Sequence, residues 1–296
     1  MVVEDKYATI GGYRTRYWML GDGPPVVLIH GLGACVEWWQ HNIEALAKDF
    51  RVLAMDLPGF GLSDKNVESL SLAAARQFLS DFLDHFGLEK ASFVGNSMGG
   101  LVALDFALRH PGNVSALVLA GSAGLGRELS PALRALSVPL LGELLTLPSR
   151  FASRLMLRGV FHDKRHATPD FVDLHHRMRK PWEARRSVLA ATRAGVCLRG
   201  LRDEALRVDD LCKLDVPVLV VWGSQDRITP VSHAFAAHAA IPGSSLYIFD
   251  KCGHCVQIER AEEFNQLARR FLLNKLPGGL LSPSQPAKST APEGFP

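Results

Sequence analysis

The sequence predicts an α/β fold in which helices cover both faces of a mostly parallel sheet. The first observation is that strand-length runs such as 26–29 and 114–120 are apolar, apart from Ser115, and lack the alternation of half-exposed strands. The second is that helical patterns, such as the one at 70–86, follow these runs. Strands that are buried on both faces and joined through helices are typical of parallel sheets.

The elements can be assigned in order along the 296 residues. Two short strands at 6–20 flank a glycine turn, and apolar runs predict further strands at 25–30, 50–56, 92–94, 114–120, 216–222 and 245–249. Helical periodicity predicts helices near 38–48, over 70–86, directly after Ser97, after Pro230 and over 262–273.

The stretch 125–208 interrupts this order of strands and helices. It has no convincing strand and its arginines recur at helical spacings, so we expect a helical lid inserted between two strands. The core would then comprise 1–124 and 209–276. Residues 277–296 are rich in Pro, Ser and Gly, and this composition predicts a disordered tail.

Composition indicates a globular protein, and the net charge of +3 is too small to suggest nucleic-acid binding. The charge is uneven, however: 125–207 holds 16 Lys and Arg against 8 Asp and Glu, a net charge of +8. Such a basic segment is either a solvated face or a region that attracts an anionic substrate or surface.

Three absences predict a cytoplasmic protein without a membrane span. No run of about 20 apolar residues is present, the N-terminal residues lack the apolar core of a secretory signal, and the five cysteines form no dense framework. The sequence gives no indication of an oligomeric state.

The segment Gly95-Asn96-Ser97-Met98-Gly99 has the strongest chemical pattern. It lies between an apolar strand and an amphipathic helix, so Ser97 is expected at the apex of an abrupt turn. Glycines two positions to either side remove the Cβ atoms that would collide in such a bend. Serine is a poor nucleophile without a base, so the pattern predicts a histidine and an acid further along the chain.

His254 and Asp226 are the expected partners of Ser97. Each follows an apolar strand, and the carboxyl ends of parallel strands meet at one edge of a sheet. Asp226 could accept the Nδ1 proton of His254, whereas the rival Asp250 is too close in sequence to His254 to brace it easily. A helix cap or a turn is the alternative role for Asp226.

The turn His30-Gly31-Leu32-Gly33 follows another apolar strand. Backbone N–H groups of Leu32 and Met98 are expected to form an oxyanion hole, where charge develops on an attacked carbonyl. The alternative is a dinucleotide-binding loop, but Val36 occupies the position of the third glycine.

A redox or zinc site is the alternative interpretation of Cys252-Gly253-His254-Cys255. Only 41 residues follow Cys255, which is too few for the remainder of a thioredoxin-like domain, and no second cysteine pair completes a zinc site. We therefore expect no metal and no cofactor.

Five motifs in this order resemble the α/β-hydrolase superfamily: His30–Gly33, Asp56–Ser63, Gly95–Gly100, Gly223–Asp226 and Cys252–His254. The resemblance implies an eight-stranded sheet with 125–208 as a lid. It also implies Ser97 as nucleophile, His254 as base and Asp226 as acid.

Two segments, Gly95–Gly100 and Gln257–Asn265, are similar to the carbon–carbon bond hydrolases of aromatic-ring degradation. Lidded esterases and lactonases carry similar motifs. We predict a serine hydrolase that cleaves a small carboxylic ester or related acyl substrate. The alternatives are hydrolysis of a carbon–carbon bond in a ring-fission diketone acid, and a non-catalytic ligand-binding module on the same fold.

The lid is expected to supply an apolar pocket for this small-molecule substrate. The residues predicted to bind substrate are Trp38, Phe151, Phe161, Trp182 and Arg185, and further apolar candidates in the lid are Leu140, Leu144 and Leu147. Arg185 would hold a substrate carboxylate. The alternatives are a core position for Trp38 and a solvated face for Arg185.

Overall fold

The computed structural model describes residues 3–274, 276 and 278–281. Its strands are β1 Lys6–Ile10, β2 Tyr13–Leu20, β3 Pro25–Ile29, β4 Arg51–Met55, β5 Ala91–Asn96, β6 Val114–Ala120, β7 Val196–Cys197, β8 Gly200–Leu201, β9 Val218–Gly223, β10 Ser245–Phe249 and β11 Gly279–Leu280. All eight strands expected from the apolar runs are present.

The main sheet has the strand order β1-β2-β4-β3-β5-β6-β9-β10-β11. The pairs β1–β2 and β2–β4 are antiparallel, and every other neighbouring pair in this sheet is parallel. The described sheet thus has nine strands rather than eight, because the two-residue β11 adds to the edge of β10. Strands β3, β5, β6, β9 and β10 all end at the same edge.

The α-helices are α1 Ile43–Leu46, α2 Leu72–His85, α3 Met98–Arg109, α4 Pro131–Ala135, α5 Leu141–Leu145, α6 Arg150–Val160, α7 Pro169–Arg179, α8 Trp182–Gly195, α9 Ser232–Ala240, α10 Val256–Glu259 and α11 Ala261–Leu272. The helix predicted near 38–48 is instead a 3₁₀ turn at Val36–Trp39 followed by the short α1. Residues 40–42 form a turn between these two elements.

Two hydrophobic clusters cover the two faces of the sheet. Alternate residues of β3 belong to opposite clusters, with Val27 packing beside α2, α3 and α9, and Val26 packing beside α1 and α11. The strands are therefore buried on both faces, which explains why their sequences are apolar throughout.

The chain between β6 and β9 contains α4 to α8 and a small antiparallel hairpin of β7 and β8. This hairpin corrects the expectation that 125–208 has no strand, since two-residue strands are too short to give a periodic pattern. We call 125–208 the insertion; its role as a separate lid unit stays a prediction. None of the helices in the described part of the chain has the length and hydropathy of a bilayer-spanning segment.

Most of the predicted tail, 277–296, lies outside the described residues. Within it, the described residues 278–281 include β11, which pairs with β10.

Candidate functional site

Ser97 occupies the strained turn between β5 and α3. Its backbone has φ 57° and ψ −118°, a combination that residues with a Cβ rarely adopt. The Ser97 N–H donates to the Ala120 carbonyl at 3.0 Å, and the Ser97 carbonyl accepts from Ala123 N–H at 3.1 Å. These bonds hold the turn against the end of β6, so the strain is maintained by the surrounding sheet.

Close backbone approach explains the glycines around Ser97. A Cβ on Gly95 would lie 2.5 Å from the Gly99 carbonyl oxygen, and a Cβ on Gly99 would overlap the carbonyl oxygen of Ile29. Any side chain at either position would push β5, α3 and β3 apart.

The His254 ring lies against Asp226 at the carboxyl edge of the sheet. His254 Nδ1 is 2.7 Å from Asp226 Oδ2, and both side chains are buried. Because a carboxylate only accepts, Nδ1 carries the proton and Nε2 is left as a base. Asp250, the rival acid, is exposed and instead accepts a hydrogen bond from Ser224 Oγ at 3.2 Å.

Asp226 is held in place by the turn that follows it. Its Oδ1 accepts the backbone N–H groups of Ile228 at 2.8 Å and Thr229 at 3.1 Å. The Thr229 hydroxyl donates to Oδ2 at 2.9 Å, beside the bond from His254. The carboxylate therefore both caps the turn and faces the imidazole, so the two roles considered from the sequence coexist.

Backbone bonds fix the His254 loop on two sides. The His254 N–H donates to the Val160 carbonyl, at the end of α6, at 3.0 Å. The His254 carbonyl accepts from Asn96 Nδ2 at 3.3 Å, and the same amide group donates to the Ala120 carbonyl at 2.9 Å. Asn96, directly before Ser97, thereby ties the histidine loop to the serine turn.

Glu259 joins the same loop to the insertion. Its Oε1 accepts Gly253 N–H and its Oε2 accepts Asp163 N–H, each at 2.8 Å. Burial raises the pKa of Glu259, and these two backbone donors oppose the rise. The carboxylate thus positions the residue before His254 relative to the end of α6.

Ser97 Oγ and the His254 ring make no direct hydrogen bond within the described residues. Their connection is through Asn96 and through the shared edge of the sheet. Catalytic hydrogen bonds in free enzymes are often long and tighten when substrate binds.

Leu32 and Met98 both line the cavity that contains Ser97. Met98 is the first residue of α3, where a backbone N–H has no intrahelical acceptor. The Cβ that Gly31 lacks would lie 3.1 Å from Ser97 Cβ, so the turn before Leu32 touches the serine directly. The two backbone segments expected to form an oxyanion hole therefore flank Ser97.

His30 supports this turn, and the buried Asp56 accepts the backbone N–H of Val36, just after it, at 2.7 Å. His30 Nδ1 is 2.7 Å from the Gly31 carbonyl, and Nε2 accepts Leu57 N–H at 3.1 Å. Burial lowers the pKa of His30 to about 4 and raises the pKa of Asp56 to about 6. Arg16 opposes the rise at Asp56.

A cavity of about 610 Å³ opens at Ser97. Its volume is sufficient for a small organic molecule. The apolar side chains that line it include Leu57, Phe60, Leu72, Leu101, Leu129, Leu133 and Val196. Three arginines also line it, Arg76, Arg109 and Arg207. All three pair with the buried carboxylate of Asp105, at 2.6, 3.8 and 2.8 Å respectively.

None of the five residues predicted to bind substrate lines this cavity. Trp38 stacks on Phe161 with ring centroids 6.4 Å apart, in a buried cluster that joins the insertion to the sheet. Phe151 and Trp182 are exposed, and the Arg185 guanidinium lies 5.0 Å from the Trp182 ring centroid. Four of these residues were assigned to the pocket for their apolar character and Arg185 for its charge. Their actual positions depend on how the insertion packs, which no local pattern shows.

The lid leucines also lie away from the cavity. Leu140, Leu144 and Leu147 are exposed and do not line it. The insertion contributes other residues to the wall, including Leu129, Leu133 and Val196.

Cys252 and Cys255 are buried free thiols. Burial raises the pKa of both above the usual thiol value, which disfavours the reactive thiolate. Among the described residues, no group of three or more His, Cys, Asp or Glu side chains is arranged to hold a metal ion.

Sequence reasoning missed Asn96, Thr229 and Glu259 as residues that position the site. Asn96 and Glu259 lie inside motifs already identified, but their contacts join segments more than 90 residues apart. Contacts between segments so far apart in the chain can be identified only from the folded structure.

Comparisons with known proteins agree with this architecture. A family model described as the alpha/beta hydrolase fold matches residues 24–261. The 2-hydroxy-6-oxononadienedioate/2-hydroxy-6-oxononatrienedioate hydrolase of Comamonas testosteroni is 33% identical over 90% of this chain and 93% of its own. An uncharacterised protein of Mycobacterium tuberculosis is also 33% identical, over 90% of this chain and 80% of its own.

A solved structure gives the same result. The meta-cleavage product hydrolase from Pseudomonas fluorescens, as an S103A mutant complexed with acetates, superimposes with a TM-score of 0.80. It is 28% identical, and the match covers 93% of this chain and 99% of that one. The chain belongs to the α/β-hydrolase fold family.

Proposed function

We propose that this protein is a serine hydrolase that cleaves a small carboxylic ester or a related acyl compound. The observation that carries the proposal is the 2.7 Å contact of His254 Nδ1 with Asp226 Oδ2, at the sheet edge where Ser97 adopts its strained turn. An acid-braced imidazole at the same sheet edge as a serine that lines a cavity is the arrangement that supports acyl transfer.

The reaction begins when His254 Nε2 takes the Ser97 proton as Oγ attacks the substrate carbonyl. Asp226 stabilises the imidazolium, and the N–H groups of Leu32 and Met98 stabilise the oxyanion. His254 then protonates the leaving group, which departs and leaves an acyl-enzyme. A water molecule, deprotonated by the same imidazole, releases the acid and restores Ser97.

The cavity favours an acyl group with substantial apolar surface. Its wall of leucine and phenylalanine side chains removes such a group from water, at about 25 cal/mol per Å² of apolar area. We expect kcat/KM for p-nitrophenyl esters to rise with acyl length until the chain fills the cavity of about 610 Å³. The series therefore measures how much of the cavity the acyl group occupies.

The test of the chemistry is Ser97→Ala in the same assay. Turnover of the best ester should fall by at least ~10³-fold while the far-ultraviolet spectrum is unchanged. Ser122→Ala is the matched control, because this serine lies near Gly100 and its hydroxyl binds the Ala123 carbonyl. Full activity in Ser97→Ala would refute the proposal.

A second candidate is hydrolysis of a carbon–carbon bond in a ring-fission diketone acid. The observation in its favour is that curated relatives 31–33% identical to this chain are named as hydrolases of 2-hydroxy-6-oxo dienoic acids. This reaction would use the same side chains of Ser97, Asp226 and His254. Measuring kcat/KM for a ring-fission product beside that for simple esters decides between the two substrates.

A further inference from the structure

The insertion carries an exposed apolar surface that the proposed chemistry does not use. Within 16 consecutive residues, seven large hydrophobic side chains are exposed, and Leu140 reaches 84% and Phe151 76%. We call this set the leucine patch: Leu140, Leu141, Leu144, Leu145, Leu147, Phe151 and Leu155. Single exposed hydrophobics are ordinary, but seven within one short segment are typical of an interaction surface.

The backbone at Leu140 presents its side chain outward. Leu140 has φ 67°, in the left-handed region that a branched apolar residue rarely adopts. Neither the conformation nor the exposure is favourable for a leucine in water. A partner that covers this side chain would recover the lost hydrophobic free energy.

Helix α6 has two different faces. Its inward face packs Leu157 and Val160 into the insertion. Its outward face carries Phe151 and Leu155, four residues apart, and a parallel row of arginines, Arg150, Arg154 and Arg158, with the same spacing. An apolar row beside a basic row is the pattern of a helix that lies in a membrane interface.

Charge around the patch is predominantly positive. The only acidic residue within 139–160 is Glu143, whose carboxylate is bound to Arg193 at 2.8 Å, which lowers its pKa to about 2. Arg150 is bound to Asp173 at 2.5 Å. Arg154 has no ion pair or hydrogen bond of its side chain within the described residues.

These observations select one occupant. A second copy bound through the same patch would place two rows of arginines against each other, because a two-fold contact pairs a surface with itself. Anionic headgroups supply the opposite charge, and the adjoining acyl region accepts leucine and phenylalanine side chains. We propose that the leucine patch docks the protein reversibly on a bilayer that contains anionic phospholipid.

The test is co-sedimentation of the full chain with vesicles. We expect binding to vesicles of phosphatidylcholine with 30% phosphatidylglycerol, and at least tenfold weaker binding to phosphatidylcholine alone. Raising the salt concentration from about 0.05 M to 0.5 M should release most of the protein. Equal binding to both vesicles, or no binding to the anionic ones at low salt, overturns the proposal.

Variants locate the binding surface. The double substitution Phe151→Ser with Leu155→Ser should weaken binding at least tenfold, and Arg154→Gln about fivefold. Controls are Phe235→Ser, which removes a phenylalanine that is 50% exposed on α9, and Lys90→Gln, which removes an exposed cation outside the insertion. Binding that the patch variants leave unchanged contradicts the assignment.

Two further readouts separate this proposal from others. Ser97→Ala should bind vesicles as the parent does, so loss of the proposed hydrolysis and loss of docking are distinguishable. Self-association that is measured by sedimentation and abolished by the Phe151→Ser, Leu155→Ser pair would assign the patch to a second copy and overturn the lipid assignment.

Discussion

Hydrophobic side chains are distributed differently in the sheet and in the insertion. Every residue of β9 is buried, as are four of the five residues of both β3 and β4. In the described part of the chain, ten of the fourteen exposed large hydrophobics belong to the insertion. The insertion holds fewer than a third of all described residues. The strands thus bury their hydrophobic side chains within the protein, whereas the insertion leaves many of its hydrophobic side chains exposed.

Two buried histidines, one in each region, differ in their hydrogen bonds. At the sheet edge, the buried His30 uses both ring nitrogens in hydrogen bonds. In the insertion, the buried His175 has no partner for either nitrogen among the described residues. Buried atoms without a partner occur in both regions, since Trp39 Nε1 and both side-chain polar atoms of Gln257 also lack one among the described residues. The contrast therefore concerns these two histidines.

The largest expected effect comes from the sheet edge. Asp226→Asn should lower kcat/KM for esters about 10³- to 10⁴-fold, because an amide no longer holds the Nδ1 proton or stabilises the imidazolium. Asp250→Asn is the matched control, since this exposed carboxylate does not touch His254. Equal activity losses in the two variants would contradict the role of Asp226.

Glycine substitutions should affect stability differently in the two regions. Gly99→Ala should lower the free energy of unfolding by about 3 kcal/mol, since the added Cβ overlaps the Ile29 carbonyl. Gly159→Ala on α6 should raise it by about 0.5–1 kcal/mol, because nothing lies within 4 Å of the added Cβ and alanine favours a helix. Urea unfolding measures the free energy of unfolding of both variants. Changes of the same sign and size in the two variants would contradict the predicted difference between the regions.

The unpartnered His175 should make stability depend on pH. Burial lowers its folded-state pKa to about 3, against about 6.5 in the unfolded chain, so the unfolded state binds more protons between these values. Stability is therefore lost as pH falls through 6.5 towards 3. Between pH 7.5 and pH 5 the loss from this group is about 2 kcal/mol.

His175→Leu should reduce that loss and raise stability at pH 7.5 by about 1 kcal/mol, because two buried unsatisfied nitrogens are removed. His30 has the same sign as His175, whereas Asp56, whose pKa is raised to about 6, has the opposite sign. The exposed His85 provides the control variant His85→Gln. An unchanged pH profile in His175→Leu would contradict the assignment.

Patterns within single segments of the sequence predicted most of the main sheet, one of its helices and the turn at Ser97. The eight long strands, α2 and the turn at Ser97 follow from apolar runs, helical periodicity and paired glycines. The helix predicted over 70–86 is observed at Leu72–His85. Asp226 was chosen over Asp250 because Asp250 is too close in sequence to His254 to brace it easily, and His254 indeed contacts Asp226. Their catalytic roles stay predictions.

The walls of the cavity could not be predicted in this way. Trp38 and Phe161 have the right character for a pocket, yet they pack on each other across the joint between sheet and insertion. Their position depends on contacts between residues more than 100 apart in the chain, and no local pattern encodes those contacts. The two-residue strands β7, β8 and β11 were missed because they are shorter than any detectable period.

Covalent labelling tests the central claim, that His254 activates Ser97 as a nucleophile, most directly. The chain would be treated with a fluorophosphonate probe, and the modified peptide would be identified by mass spectrometry. We predict a single adduct on Ser97 that forms rapidly in the parent protein and at least ~10³-fold more slowly in His254→Ala. Absence of an adduct, modification of another serine, or an equal rate in His254→Ala would contradict the account.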